Sequence, residues 1–192
     1  KIETARVNTV IVSDHAEMTI QNGTLKTREN DVVWVRGGKL TLEKSTTVSS
    51  SDYYDYYAGL RIDGGEVTID GAGFADGVRS VDITGGNLTV LDGTFSGQFR
   101  KYFYNGKESP EVSLRGGSYS DVRSLRGNLR SMLENGYGFR SGEEGTAWIV
   151  DSDLLDGEGT GEDTAKIVSN VTEEKLPVTI TQPGSYEDYC GN

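Results

Sequence analysis

Apolar residues alternate with polar ones over short stretches, and the same short pattern returns along the first two thirds of the chain. The segments AEMTIQNGTL (16–25), GKLTLEKSTT (38–47), GEVTIDGAGF (65–74), GNLTVLDGTF (86–95) and PEVSLRGGSY (110–119) each carry an apolar residue, a Thr or Ser, and a second apolar residue. In register, the first column is Met18, Leu40, Val67, Leu88 and Val112. The middle column is Thr19, Thr41, Thr68, Thr89 and Ser113, and the third is Ile20, Leu42, Ile69, Val90 and Leu114. Small residues mark a turn at Gly23, Ser45, Ala72, Gly93 and Gly117. One more apolar column follows: Leu25, Phe74, Phe95 and Tyr119, with the second copy slipped by one to Val48. A period of two is the signature of a half-buried strand.

A second motif precedes most copies: VVWVRGG (32–38), GLRIDGG (59–65), SVDITGG (80–86) and, in degraded form, KYFYNG (101–106). Each unit therefore holds at least two short strands joined through a Gly corner. Units of 21 to 27 residues cannot bury a core alone and must stack on one another. This predicts an all-β, right-handed parallel β-helix (solenoid) of about five to seven coils. Apolar columns face inward, and the Thr column faces outward, where β-branched side chains suit a pleated surface. A β-sandwich of hairpins is the rival, but sandwiches rarely keep residue-level register from copy to copy.

Leu125, Leu129, Met132 and Leu133 recur on one helical face, which predicts a short capping helix near 122–136 that ends at Gly136 and covers the open sheet edge. Gly127 weakens that helix. Residues 151–163 form an acidic, Gly-rich loop, and KIVSNV (166–171) and VTITQ (178–182) read as terminal strands. The expected organisation is a β-helix with its cap over 1–150, then 151–192, which either completes this domain or opens the next module.

Composition narrows the function. The 192 residues carry a net charge of −11 from 19 basic and 30 acidic side chains, which argues against nucleic acid and anionic membrane surfaces as partners. No apolar run approaches the length of a membrane-inserted helix. The lone Cys190 excludes an internal disulfide and a Cys-rich zinc site. With 26 Gly and only 3 Pro, the chain suits tight turns between strands. It begins mid-pattern at Lys1, as a mature form or an excised piece does.

Candidate chemistry is sparse. His15, the only histidine, lies at a corner and reads as an exposed turn residue. The outward acids Glu43, Asp63, Glu66, Asp70, Asp82 and Glu111 are the ones a carbohydrate-cleaving β-helix would use. By register, however, Glu66 stacks between Lys39 and Asn87, and Asp70 between Glu43 and Leu91, a ladder of solvated charges. The segment DSDLLDGEGTGED (151–163) departs from a calcium loop, with Leu155 at the fifth position and Gly157 one late. No catalytic residue, metal or cofactor is assigned, and the chain is read as a non-enzyme. Asn22, Asn87 and Asn170 begin glycosylation sequons, which matter only in a eukaryotic host.

One stretch is unlike the rest. SSSDYYDYY (49–57) makes the second corner about six residues longer than the basic coil, and an insertion in a solenoid projects from one side. Two coils further on, about 10 Å away, SGQFRKY (96–102) is expected on the same side. The predicted binding patch is Tyr53, Tyr54, Asp55, Tyr56 and Tyr57 with Phe99, Arg100 and Tyr102. Tyr beside Ser and Asp is paratope-like, and aromatic and Arg residues carry interface hot spots. Rival readings are tyrosines folded back as a lid over Val35, Val48 and Leu60, and tyrosines that stack on sugars.

The turns LDGTFSG (91–97) and LRGGSYSD (114–121), together with SLRGNLRSMLENGYGFRSGEEGTAWIV (124–150), resemble the β-helical repeats of large surface proteins of Gram-positive gut bacteria. The resemblance covers about residues 10–150. It implies a secreted, cell-surface setting and work as an adhesin or host-protein binder, immunoglobulin-binding superantigens of gut commensals being one such group. The expectation is thus a non-catalytic extracellular module that binds a host extracellular protein, immunoglobulin among them, or a glycan. The alternatives are a carbohydrate-binding or carbohydrate-cleaving β-helix and a passive stalk.

Overall fold

The computed structural model describes residues 1–50, 56–102, 109–119, 132–134, 137–140, 146–149 and 164–169. After the short β1 (Ile2–Glu3), the chain winds through five stacked turns. The first holds β2 (Val10–Val12), β3 (Glu17–Ile20) and β4 (Gly23–Thr27), and the second β5 (Val33–Val35), β6 (Lys39–Glu43) and β7 (Thr46–Ser50). The third holds β8 (Ala58–Ile62) and the long β9 (Glu66–Ala75), and the fourth β10 (Arg79–Ile83) and the long β11 (Asn87–Phe95). The fifth holds β12 (Gln98–Lys101), β13 (Glu111–Leu114) and β14 (Gly117–Tyr119). Three short strands follow: β15 (Tyr137–Arg140), β16 (Thr146–Ile149) and β17 (Thr164–Ser169). The fold is an all-β parallel solenoid, with no helix among the described residues.

Three parallel ladders run along the stack. The first, β3–β6–β9–β11–β13, pairs Met18 with Leu40, Leu40 with Val67, Val67 with Leu88 and Leu88 with Val112. The Thr column and the Ile20–Leu114 column follow in the same register. The second, β1–β4–β7–β9–β11–β14, pairs Leu25 with Val48, Val48 with Phe74, Phe74 with Phe95 and Phe95 with Tyr119, including the predicted slip at Val48. The third, β2–β5–β8–β10–β12, forms a separate five-stranded sheet. Leu42, Ile69, Val90 and Leu114 are completely buried, each contributing about 1.5–3 kcal/mol relative to exposure. Met18 is 39% exposed, because among the described residues β3 has a paired strand on one side only, β6. Phe95 stacks on Phe74 and Tyr119 at centroid distances of 5.1 and 4.7 Å.

The Gly-Gly corners explain themselves sterically. Gly38, Gly65 and Gly86 have φ of 72°, 82° and 78°, a region that costs other residues strain. A Cβ on Gly65 would lie 2.5 Å from the Gly38 carbonyl oxygen, and one on Gly86 2.5 Å from that of Gly65. Those same carbonyls accept from the amides of Glu66 and Asn87, so close stacking of successive corners is what excludes a side chain.

Four expectations change. The fifth copy of the second motif is not KYFYNG (101–106): Phe99 pairs with Val81, Arg100 with Asp82 and Lys101 with Ile83, so the segment QFRK of β12 takes that place. With no Gly-Gly after it, hydrophobic register alone sets the alignment, and Phe99 fills the inward position. The left-handed turn residues in the first and third turns are Asn22 and Gly71, one before the predicted Gly23 and Ala72. Asp70 pairs with Glu43 and Asp92 rather than Leu91, through register shifts in β6 and β11. Finally, Met132 and Leu133 do not lie on a helix. The Leu114 amide donates to the Met132 carbonyl (2.8 Å) and the Glu134 amide to the Leu114 carbonyl (3.2 Å), so Leu133 adds another rung beside Leu114. An open ladder edge offers these amides and carbonyls direct partners. The remaining residues of the predicted helix, including Leu125 and Leu129, lie outside the described residues.

The parallel stack is followed by antiparallel pairing: β14 pairs with β17, and β17 with β15, in opposite directions, while β16 runs parallel to β17. The predicted strand at 166–171 falls within β17 as far as Ser169. The acidic loop 151–163 and the strand expected at 178–182 lie outside the described residues.

Candidate binding face

In the third ladder the strand period puts Val33, Val35, Leu60, Ile62, Val81, Ile83 and Phe99 inward, all buried, and sends the residues between them outward. One outward row is Ile11, Trp34, Arg61, Asp82 and Arg100, paired strand to strand. Two residues further on, the amides of Arg36, Asp63, Thr84 and Tyr102 donate to the carbonyls of Val12, Val35, Ile62 and Ile83. They form a second row. The face is therefore a grid with strands about 4.8 Å apart.

Its side chains interlock. The Trp34 indole N–H donates to Asp63 Oδ2 (2.9 Å), while the Arg36 and Arg61 guanidinium carbons lie 4.9 and 5.4 Å from the ring centroid. Asp63 Oδ1 accepts from Arg61 Nε (3.1 Å) and the Thr84 hydroxyl (2.7 Å). Burial works to raise the Asp63 pKa, but the donors Thr84, Arg61 and Trp34 outweigh it and hold the carboxyl below its usual value. Such a carboxylate is fixed as an acceptor, the opposite of a general acid. Arg79 pairs with Asp82 (3.0 Å), and Arg100 donates to the Tyr102 hydroxyl (3.0 Å) and to Gln98.

Tyr56 and Tyr57 lead directly into β8 of this same face. Thr27 pairs with Ser50 and Val33 with Leu60, so residues 28–32 bridge the first corner and 51–59 the second, and the 27-residue step from Val33 to Leu60 exceeds the 21-residue step from Leu60 to Val81 by the six residues expected. Both roots of the segment are tied down. Ser49 donates to Asp76 (3.2 Å) on the entry side. On the exit side the Ala58 amide donates to Asp31 Oδ1 (2.8 Å), and Arg79 reaches the Tyr56 carbonyl (3.4 Å). Asp31 is only 6% exposed. Burial raises its pKa, the Ala58 amide and Arg61 offsetting this only in part.

Of the residues expected to form the patch, Tyr56 is 78% exposed and Tyr57 half-buried, which for Tyr56 excludes the lid arrangement. Arg100 and Tyr102 are half-buried on the outward side of β12, two strands from β8. Phe99 does not join them: it is fully buried against Phe95 and Tyr119 (5.7 and 5.9 Å), because its even spacing from Arg100 and Tyr102 fails and parity turns it inward. Tyr53, Tyr54 and Asp55 lie outside the described residues. Sequence reasoning missed Trp34, Arg36 and Arg61. The signal was present, since Trp34 sits between two inward valines in VVWVRGG and so must face solvent.

Among the described residues no group of three or more His, Cys, Asp or Glu side chains is placed to hold a metal, and no helix is long and apolar enough to cross a membrane. No protein-family model, curated protein or solved structure matches the chain.

Proposed function

We propose that the chain is a non-catalytic binding module of a bacterial surface protein, holding an extracellular host protein against the β2–β5–β8–β10–β12 face. The observation that carries this reading is the grid itself: Trp34, Arg36, Arg61, Arg100 and Tyr102 share one sheet face, with Tyr56 exposed at its margin. Trp, Tyr and Arg are the residue types that dominate interface energetics. A side chain that differs in every turn is not demanded by the stacked backbone, so its identity is open to selection for recognition. The ring of Trp34 already carries two guanidinium groups, which favours a protein partner over a sugar that needs an open ring to stack on. The Asp63 carboxylate, saturated by three donors, supports a binding rather than a hydrolytic role.

The test is capture from host secretions, immunoglobulin included, followed by affinity measurement with the identified partner. Trp34→Ala, Tyr102→Ala, Tyr54→Ala and Tyr57→Ala are the variants to compare. At least one should lose about thirtyfold or more in affinity, the loss of a hot spot worth about 2 kcal/mol. Full affinity in all four overturns the assignment of the face.

A further inference from the structure

We infer that the open edge of the first turn, along β3, takes a strand donated by a second copy of this chain, residues 177–182, so that copies join head to tail. The inference is independent of what the third-ladder face binds. Among the described residues β3 pairs with β6 alone, whereas β6, β9 and β11 each have partners on both sides. The columns that β3 starts are left uncovered at this end. Met18 is 39% exposed, while Leu40, Val67 and Leu88 of the same column are at most 3% exposed. Ile20 is half-buried, while Leu42, Ile69, Val90 and Leu114 are completely buried. An unpaired edge over an open apolar column is a template for one more strand. The ladder fixes the chemistry of that strand: it runs parallel, with two apolar residues two positions apart to cover Met18 and Ile20. The second ladder already shows such an addition, since β1 lies on β4 as an extra parallel rung.

The chain holds a matching segment outside the described residues. PVTITQPGSYED (177–188) repeats EVSLRGGSYSD (111–121) of the fifth turn. Val178, Thr179 and Ile180 stand where Val112, Ser113 and Leu114 do, so in register they meet Met18, Thr19 and Ile20. Pro177 falls at the first strand position, where proline is tolerated. Pro183-Gly184 is a turn signal, and the chain must turn there, because β1 holds the next slot on the second ladder. At its own end of the stack this unit finds both edges taken. Met132 and Glu134 bond Leu114, and β17 pairs with β14. The β3 edge of its own chain is out of reach. β17 lies six rungs from the open slot, about 29 Å. The eight steps from Ser169 to Pro177 span at most about 29 Å fully extended, with nothing left for the sideways passage between ladders. A second copy meets neither obstacle. Donor and acceptor are different surfaces, so the contact is heterologous and grows into open rows. The net charge of −11 opposes this association, and salt screens that repulsion.

Sedimentation velocity of the full chain should show species larger than a monomer that grow with protein concentration and with NaCl. Met18→Asp spoils the acceptor and leaves the donor, and Ile180→Asp does the reverse. Each variant alone should stay monomeric, and an equimolar mixture should give a dimer and nothing larger. Equal melting temperatures for variants and parent keep folding out of the comparison. Cysteine pairs carry the same test without a buried charge. In a Cys190→Ser background, Thr19→Cys in one chain and Thr179→Cys in another should cross-link under mild oxidation, because neighbouring strands hold their Cα atoms within disulfide range. Thr41→Cys, on a strand paired on both sides, should not cross-link to Thr179→Cys. A parent chain that is monomeric at every concentration overturns the inference, as does association that survives Ile180→Asp. A Thr19→Cys/Thr179→Cys double variant that closes its disulfide within one chain at high dilution also overturns it, because the segment then covers its own β3.

Discussion

On the face built from β3, β6, β9, β11 and β13, the outward position repeats: Thr19, Thr41, Thr68, Thr89, Ser113. On the face built from β2, β5, β8, β10 and β12, the equivalent position reads Ile11, Trp34, Arg61, Asp82, Arg100. Both faces stand on the same kind of parallel ladder, with the same buried aliphatic columns beneath. The backbone therefore demands no particular residue at the outward site beyond one that fits a pleated surface, and Thr meets that demand turn after turn. Where the repeat is abandoned in every turn, the side chains answer to one another instead. Trp34, Arg61, Asp63 and Thr84 form one hydrogen-bonded and cation–π network that crosses three turns.

The comparison breaks most visibly if the inward columns beneath both faces are disturbed. Val90→Asp places a charge at a completely buried rung and should abolish cooperative folding, read as loss of the strand circular-dichroism signal, because an unpaired buried charge costs more than a marginally stable domain holds. A soluble variant with an unchanged melt contradicts the register. Next in size is the pair Phe99→Ala and Tyr102→Ala, near neighbours in sequence on opposite sides of the third ladder. Phe99→Ala should cost about 3–5 kcal/mol of stability, as core aromatic truncations do. Tyr102→Ala should stay within about 1 kcal/mol and act on binding instead. Denaturant titration of both, with partner affinity, separates core from face.

Gly65→Ala tests the corner that the two faces share. With φ at 82° and a carbonyl oxygen 2.5 Å from the new Cβ, it should cost roughly 1–3 kcal/mol. The smallest effect belongs to the repeating face. Thr68→Val and Thr89→Val should each change stability by no more than about 0.5 kcal/mol and leave partner affinity untouched.

Two carboxylates sharpen the comparison through pH. Asp63 is held below the ordinary value of 3.8, so its contribution to stability is complete above that value and is lost as pH falls through its lowered one. Asp31 is raised above 3.8, so its contribution is complete below 3.8 and is lost as pH rises through the raised value. Stability measured from pH 7 to 2.5 should therefore lose part of its acid-side fall in Asp63→Asn. In Asp31→Asn the stability gained between pH 7 and 4 should be reduced. Identical pH profiles for both variants contradict the opposite environments of the two groups.

Much of this architecture was legible before any coordinates. Period-two alternation and the stacked columns from Met18 to Val112 and from Ile20 to Leu114 specify parallel rungs, since units this short have nowhere else to bury their apolar side. Gly37-Gly38, Gly64-Gly65 and Gly85-Gly86 mark the corners for the same reason: only Gly leaves room there, for the carbonyl of the turn below at every one of them except Gly37, where the Asp14 carboxylate takes the space. The alternation also placed Asp82 outward, and it carried the same signal, unread, for Trp34 and Arg61. The tertiary structure alone decided which outward residues meet. Arg61 and Asp63 reach Trp34 because parallel stacking brings residues 27 and 29 positions apart into adjacent strands. It also decided the fate of Phe99 and Leu133. Both lie where the repeat loses its Gly markers, so their places are set by which edge of the growing stack is still unsatisfied, a property of the assembled ladder that no local pattern carries.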